Sequence, residues 1–278
     1  MNKHAFKKIV GEKILQAQSY KIYESTKPKI LLAFHGFGQD ANVFNKITKQ
    51  FPNTIIYSFD LFNHGESNWQ GSNLKYYPET FKRELENFFK VEEIVSFDVI
   101  AFSMGSRLAL ATAAFFPESL NKLILIAPDG IYENFWFKFS TRNRIGNSIF
   151  RLVIQNEKGL LAFIDVFGNL KLVNKKLVQL TKKVIHYNSL KKIFNTWMLY
   201  SLFTFNTKQV FGKLFSDKKE IYLVTGAYDE VISKEKLYSV LKRNKVFDES
   251  FLVNLPVSHQ KLLHHFINSP DFKAIFSR

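Results

Sequence analysis

The sequence predicts an α/β fold: a mostly parallel sheet flanked by helices, with one inserted helical segment. Short uncharged apolar runs read as buried strands, and amphipathic helical stretches alternate with them. Between Ile131 and Lys219 that alternation stops and the pattern turns helical and aromatic. Residues 1–130 and 219–278 are therefore expected to form the core, and 131–218 a helical cap or lid.

Taken in order, residues 13–24 alternate loosely and read as a strand, and 27–38 give a buried strand ended by glycines. A helix is expected over 41–50, stopped at 51–53, and a second buried strand over 53–60. Residues 77–91 predict a helix with Pro78 in its first turn and Phe81, Leu85, Phe88 and Phe89 on one face. A strand follows over 97–102, running directly into a helix over 104–116 that Pro117 stops, and 121–130 hold the next strand. After the insertion come a strand within 220–229, a helix over 234–243 and a strand over 249–256.

The chain has 278 residues, enough for one large domain with an insertion, and no cysteine, which excludes disulfides, thiolate ligands and a cysteine nucleophile. Its most apolar stretch, 99–117, is interrupted by Arg107, so a membrane span is not expected. The first residues carry positive charge without a signal-peptide apolar region, and a cytoplasmic location is the expectation. The net charge is +15. Residues 131–220 hold sixteen lysines and arginines against five acids, most of the imbalance. Either a lysine-rich compositional bias or an anionic partner accounts for it; a headgroup or membrane surface suits basic residues interleaved with aromatics, and a nucleic-acid partner is not expected.

A serine hydroxyl needs a base, an orienter for that base and donors for a developing oxyanion before it acts as a nucleophile. Ala101-Phe102-Ser103-Met104-Gly105 passes from strand to helix through one serine, and a turn that tight requires small residues two before and two after it. Ser103 is the candidate nucleophile, with Ala101 departing from the usual G-x-S-x-G. His35-Gly36-Phe37-Gly38 ends an earlier strand, so the backbone N–H groups of Phe37 and Met104 are the candidate oxyanion donors. Asp229, just behind the strand over 220–226, is the candidate acid; Glu230 and Asp129 are fallbacks. His259, on a loop after the final strand, is the candidate base. His264 and His265 read as surface or packing residues, and His4 and His186 lack supporting context.

With its segments at 35–38, 60–67, 101–106, 226–229 and 258–259, the chain resembles the α/β-hydrolase superfamily over nearly its whole length. Asp60, His64, Gly65 and Ser67 stand where that superfamily commonly has D-x-x-x-H-G-x-S, a structural loop. The resemblance implies an esterase-like serine hydrolase with a helical cap inserted after the sixth strand, covering the active site and shaping substrate choice. It makes the chemistry of relatives with an aspartate nucleophile improbable, because Ser103 stands in that place.

The expected activity is hydrolysis of a small-molecule acyl substrate, a carboxylic ester or thioester, through an acyl-enzyme. No metal or organic cofactor is expected. Acyl transfer, carbon–carbon bond hydrolysis and peptide hydrolysis use the same residues, and a non-catalytic ligand-binding protein on this scaffold is the alternative of another class. Within the insertion Phe135, Trp136, Phe137, Phe139, Phe163, Phe167, Phe194, Trp197, Tyr200 and Phe203 fit either an apolar acyl pocket or the cap's own core, and Lys182, Lys183, Lys191 and Lys192 either an anionic group or a solvated helix face.

Overall fold

The computed structural model describes residues 16–20, 28–51, 53–71, 74–133, 135–155, 189–246 and 248–277. Its strands are β1 (Gln16–Tyr20), β2 (Lys29–Phe34), β3 (Thr54–Asp60), β4 (Phe97–Phe102), β5 (Leu120–Ile126), β6 (Glu220–Gly226) and β7 (Leu252–Leu255). They form one sheet in the order β1-β3-β2-β4-β5-β6-β7. β1 pairs antiparallel with β3, and every other pairing is parallel. All residues of β3 and β4 are buried, including Asp60 and Asp98, as mostly apolar runs covered on both faces must be. Of the expected strand over 13–24, the described part is β1.

The chain divides into two compact units. The first comprises Met1–Gly71, Tyr77–Tyr132 and Phe203–Arg278. It contains the sheet together with α1 (Asn45–Gln50), α2 (Pro78–Val91), α3 (Ser106–Phe115), and four helices to which we assign α7 to α10 below. The expected helix over 41–50 is instead a 3-10 turn, Ala41–Phe44, leading into α1. Asp40 accepts from Asn42 N and closes that tighter turn. Helix α2 starts with Pro78 at its first position and buries Phe81, Leu85, Phe88 and Phe89. Helix α3 begins at Ser106 because a 3-10 turn, Ser103–Gly105, separates it from β4.

The second unit comprises Ser72–Tyr76 and Glu133–Leu202. Its described helices are α4 (Phe135–Arg142), α5 (Arg144–Gln155) and α6 (Ser189–Leu199). Most of this unit follows β5, the strand after which the insertion is expected. Its aromatics pack against one another: Phe137 on Trp197 at 5.8 Å, Phe150 on Phe194 at 6.2 Å and Tyr76 on Tyr200 at 6.2 Å between ring centroids. Those contacts are packing within the second unit. Phe203 is buried in the first unit, 5.7 Å from Phe81. Phe163, Phe167, Lys182, Lys183, His4 and His186, and the side chain of Trp136, lie outside the described residues, while Lys191 and Lys192 are exposed.

The remaining helices of the first unit are α7 (Thr207–Ser216), α8 (Lys234–Arg243), α9 (His259–Ile267) and α10 (Pro270–Ser277). Asn206 and Ser233 cap α7 and α8 by accepting from Gln209 N and Lys236 N. Leu262, Phe266, Phe272 and Phe276 of α9 and α10 join Leu31, Ile56, Ile100, Ile124 and Val224 of the sheet in one buried cluster. Lys29 and Lys122, from the starting ends of β2 and β5, donate to Phe276 O and Ile275 O, so two ammonium groups finish the last turn of α10. Among the described residues no helix is long and apolar enough to cross a membrane.

Candidate active site

The end of β4 sets the site. Phe102 is extended at φ −118°, and the next residue, Ser103, takes φ +51°, the left-handed region that a side chain rarely adopts. That reversal lifts the Ser103 hydroxyl off the strand while α3 turns away beneath it. Gly105 makes the turn feasible: a Cβ there would stand 2.3 Å from Phe34 O and 2.6 Å from His35 O. Ala101 is fully buried between its sheet partners Phe34 and Leu125, where a methyl group fits.

The Ser103 hydroxyl donates to His259 Nε2 over 3.1 Å. His259 Nδ1 lies 2.7 Å from Asp229 Oδ2. A carboxylate only accepts, so the Nδ1 proton is assigned to the histidine and leaves Nε2 as the acceptor facing the serine. The other oxygen, Asp229 Oδ1, accepts from Val231 N and Ile232 N, both at 2.8 Å. Three donors thus hold a carboxylate that is 1% exposed, while the histidine is 15% exposed and open to a ligand. Gly226 gives this loop its shape, since a Cβ there would meet Val257 O at 2.5 Å.

His259 is the first residue of α9, not a loop residue, because Ser258 is extended and serves as the helix N-cap. Of the fallbacks, Asp129 is committed elsewhere: Arg107 grips it with two hydrogen bonds, Nε to Oδ2 at 2.7 Å and Nη2 to Oδ1 at 3.0 Å. Glu230 stands beside Asp229 without entering the chain of bonds that reaches the serine. His264 and His265 are exposed on α9, with His264 Nε2 2.9 Å from Lys46 Nζ.

The loop after β2 abuts the serine. A Cβ on Gly36 would stand 2.7 Å from the Phe102 ring, and the loop is closed by Gln39 N donating to Gly36 O and Gly36 N donating to Gln39 Oε1. Phe37 sets its ring edge-on to His64 at 5.2 Å. Met104 opens the first turn after the elbow, where backbone donors have no earlier partner within the helix. His35 is wholly buried and accepts from Leu61 N through Nε2 at 3.0 Å, so its proton sits on Nδ1, 2.8 Å from Gly36 O. The Asp60 carboxylate accepts from Ala41 N and Glu66 N, and a Cβ on Gly65 would overlap it at 2.2 Å. This segment braces the loops and carries no reacting group.

Two residues that sequence reasoning did not single out also shape the site. Phe102 lays its ring beside the His259 imidazole, with centroids 5.0 Å apart and planes 35° apart. Arg107, 1% exposed, donates to Phe203 O as well as to Asp129, tying together two segments of the first unit that lie far apart in sequence. A lone arginine inside an apolar helix was the one sequence signal for it. Phe102 left none, since an aromatic before the serine reads the same whether or not it touches the histidine.

Residues 29–252 match the family described as alpha/beta hydrolase fold, and the chain belongs to that family. A serine hydrolase-like protein of Mus musculus is 29% identical over 107 residues, which are 38% of this chain and 34% of that protein. The match thus spans about a third of that relative's length. Among solved structures, MenH from S. aureus superposes with a TM-score of 0.60 at 19% identity, covering 94% of this chain and 96% of that one. A thermophilic esterase from Thermogutta terrifontis gives 0.60 at 15% identity, covering 95% and 92%. At such identities these structures show the shared fold alone.

Proposed function

We propose that the chain hydrolyses a carboxylic ester or thioester of a small-molecule acyl substrate through an acyl-enzyme on Ser103. The observation that carries this reading is the unbroken set of hydrogen bonds from Asp229 through His259 to a serine held at positive φ. Ser103 Oγ attacks the acyl carbon while His259 Nε2 takes its proton, and Asp229 stabilises the resulting imidazolium. The negative oxygen of the tetrahedral intermediate is stabilised by the N–H groups of Phe37 and Met104, each typically worth about 3 kcal/mol of barrier. Collapse expels the alcohol or thiol, which leaves with the proton from His259. Water then repeats the sequence on the acyl-enzyme, with His259 again as base, and releases the acid and Ser103.

Hydrolysis of p-nitrophenyl esters from acetate to palmitate by the wild type and Ser103→Ala tests the reading. Turnover that disappears in the variant supports it, and the chain-length optimum reports the acyl group preferred. A folded wild type with no more turnover than the variant on any ester or thioester would sink it in favour of ligand binding without catalysis.

A further inference from the structure

Helix α5 presents an unusual outer face. Its exposed described residues are Arg144, Ile145, Ser148, Arg151 and Leu152. At about 100° per residue these fall within an arc of roughly 120°, a single stripe along the helix. Ile145 and Leu152 are 70% and 68% exposed, a costly placement for aliphatic side chains in water. The inner side is occupied: Gly146 packs against the Phe139 backbone, and Phe150 stacks on Phe194. Arg151 donates to Asn147 Oδ1 and lies 5.9 Å from the centre of the Phe194 ring, which steadies the guanidinium at the surface. On the preceding helix Phe135, 68% exposed, and Lys138 repeat the pairing of an apolar with a cationic side chain.

We propose that this face of α5 docks on an anionic lipid bilayer surface. Aliphatic side chains beside arginines in one stripe suit a layer in which acyl chains lie just beneath phosphates: Ile145 and Leu152 enter the first and Arg144 and Arg151 engage the second. A nucleic acid would engage the arginines and leave the aliphatics in water, whereas an apolar protein groove would bury the aliphatics and strand the charges. The twelve basic residues against three acids over 133–202 add an attraction that reaches beyond contact range. This inference concerns the second unit alone and stands whether or not Ser103 is a nucleophile.

Co-sedimentation at low salt with vesicles of phosphatidylcholine alone, or mixed equally with phosphatidylglycerol, tests it. The wild type is expected to pellet with the mixed vesicles and stay in solution with the neutral ones. The double variants Ile145→Ser/Leu152→Ser and Arg144→Gln/Arg151→Gln should each weaken binding by about tenfold or more. Their thermal melting should match the wild type, because the altered side chains are exposed. Wild type that ignores the mixed vesicles overturns the proposal. So does an Ile145→Ser/Leu152→Ser variant that binds as the wild type does, which would reassign the surface to a soluble polyanion. A dimer, detected by light scattering, that binds no vesicle and separates in that variant would give the face to a second copy of the chain.

Discussion

A serine hydroxyl in water is neither poised nor basic enough to attack an acyl carbon, and the role proposed for Ser103 rests on its surroundings. Its positive φ holds Oγ clear of the strand, at a cost of about 1 to 3 kcal/mol that the close approach of Gly105 to Phe34 and His35 maintains. The bonds around Asp229 make a sharp prediction. Because Val231 N and Ile232 N both donate to Oδ1, Asp229→Asn would keep its oxygen there and turn its NH2 toward His259. Nδ1 would then have to accept, the proton would move to Nε2, and the serine would lose its acceptor. We expect kcat to fall by about 10⁴ with melting nearly unchanged; a loss of less than tenfold would refute this role for Asp229. Phe102→Leu keeps the volume roughly filled but removes the ring beside His259, so kcat should drop by roughly tenfold at constant KM. A change confined to melting temperature would make Phe102 a packing residue only.

At the scale of elements, the strand-to-helix passage from β4 to α3 positions more than Ser103. Arg107, on the first turn of α3, reaches both the loop behind β5 and the backbone of Phe203, so one guanidinium ties together two distant segments of the first unit. Such a group is costly to bury and costlier to orphan. Arg107→Met should destabilise the fold by about 3 kcal/mol, since Asp129 would lose both hydrogen bonds while its side chain stays 26% exposed. Urea denaturation checks this, and a loss under about 1 kcal/mol would mean that water replaces the guanidinium.

Across the sheet, a buried charged group lies near the starting ends of the central strands β4 and β5. Asp98 and Lys122 face each other across β4 and β5, with Lys122 3.8 Å from Glu220 and donating to α10. Burial raises the Asp98 carboxyl above its ordinary value, and the ammonium groups of Lys122 and Lys29 offset that only in part. The folded protein thus holds the Asp98 proton more tightly than the unfolded chain does. This contribution is fully present below the ordinary carboxyl value, about 4, and is lost as pH rises through the higher folded value. Urea midpoints followed upward from that acid range should show the wild type losing stability relative to Asp98→Asn; parallel profiles would contradict the assignment.

Strand and helix order was legible because burial on both faces demands mostly apolar runs, and β2 to β6 are such runs, with charge confined to Lys29, Asp60, Asp98, Lys122 and Glu220. The order Ser103, Asp229, His259 was legible too, because each follows a strand end and one parallel sheet brings those ends to the same edge. Sequence favoured Asp229 over Asp129 by position alone, since both stand just past a strand; in the structure a guanidinium from α3 holds Asp129, whereas Asp229 meets His259. Nor did it distinguish aromatics that pack from aromatics that line a pocket, because helical spacing is identical for both and only the facing helices, α4 against α6 and α5 against α6, settle which rings meet. Local pattern determined the elements and the chemical types at their ends, as periodicity and turn sterics act within a few residues. Which side chains pair was decided by tertiary structure alone, because hydrogen bonds between residues 30 and 156 positions apart exist only once the sheet has assembled.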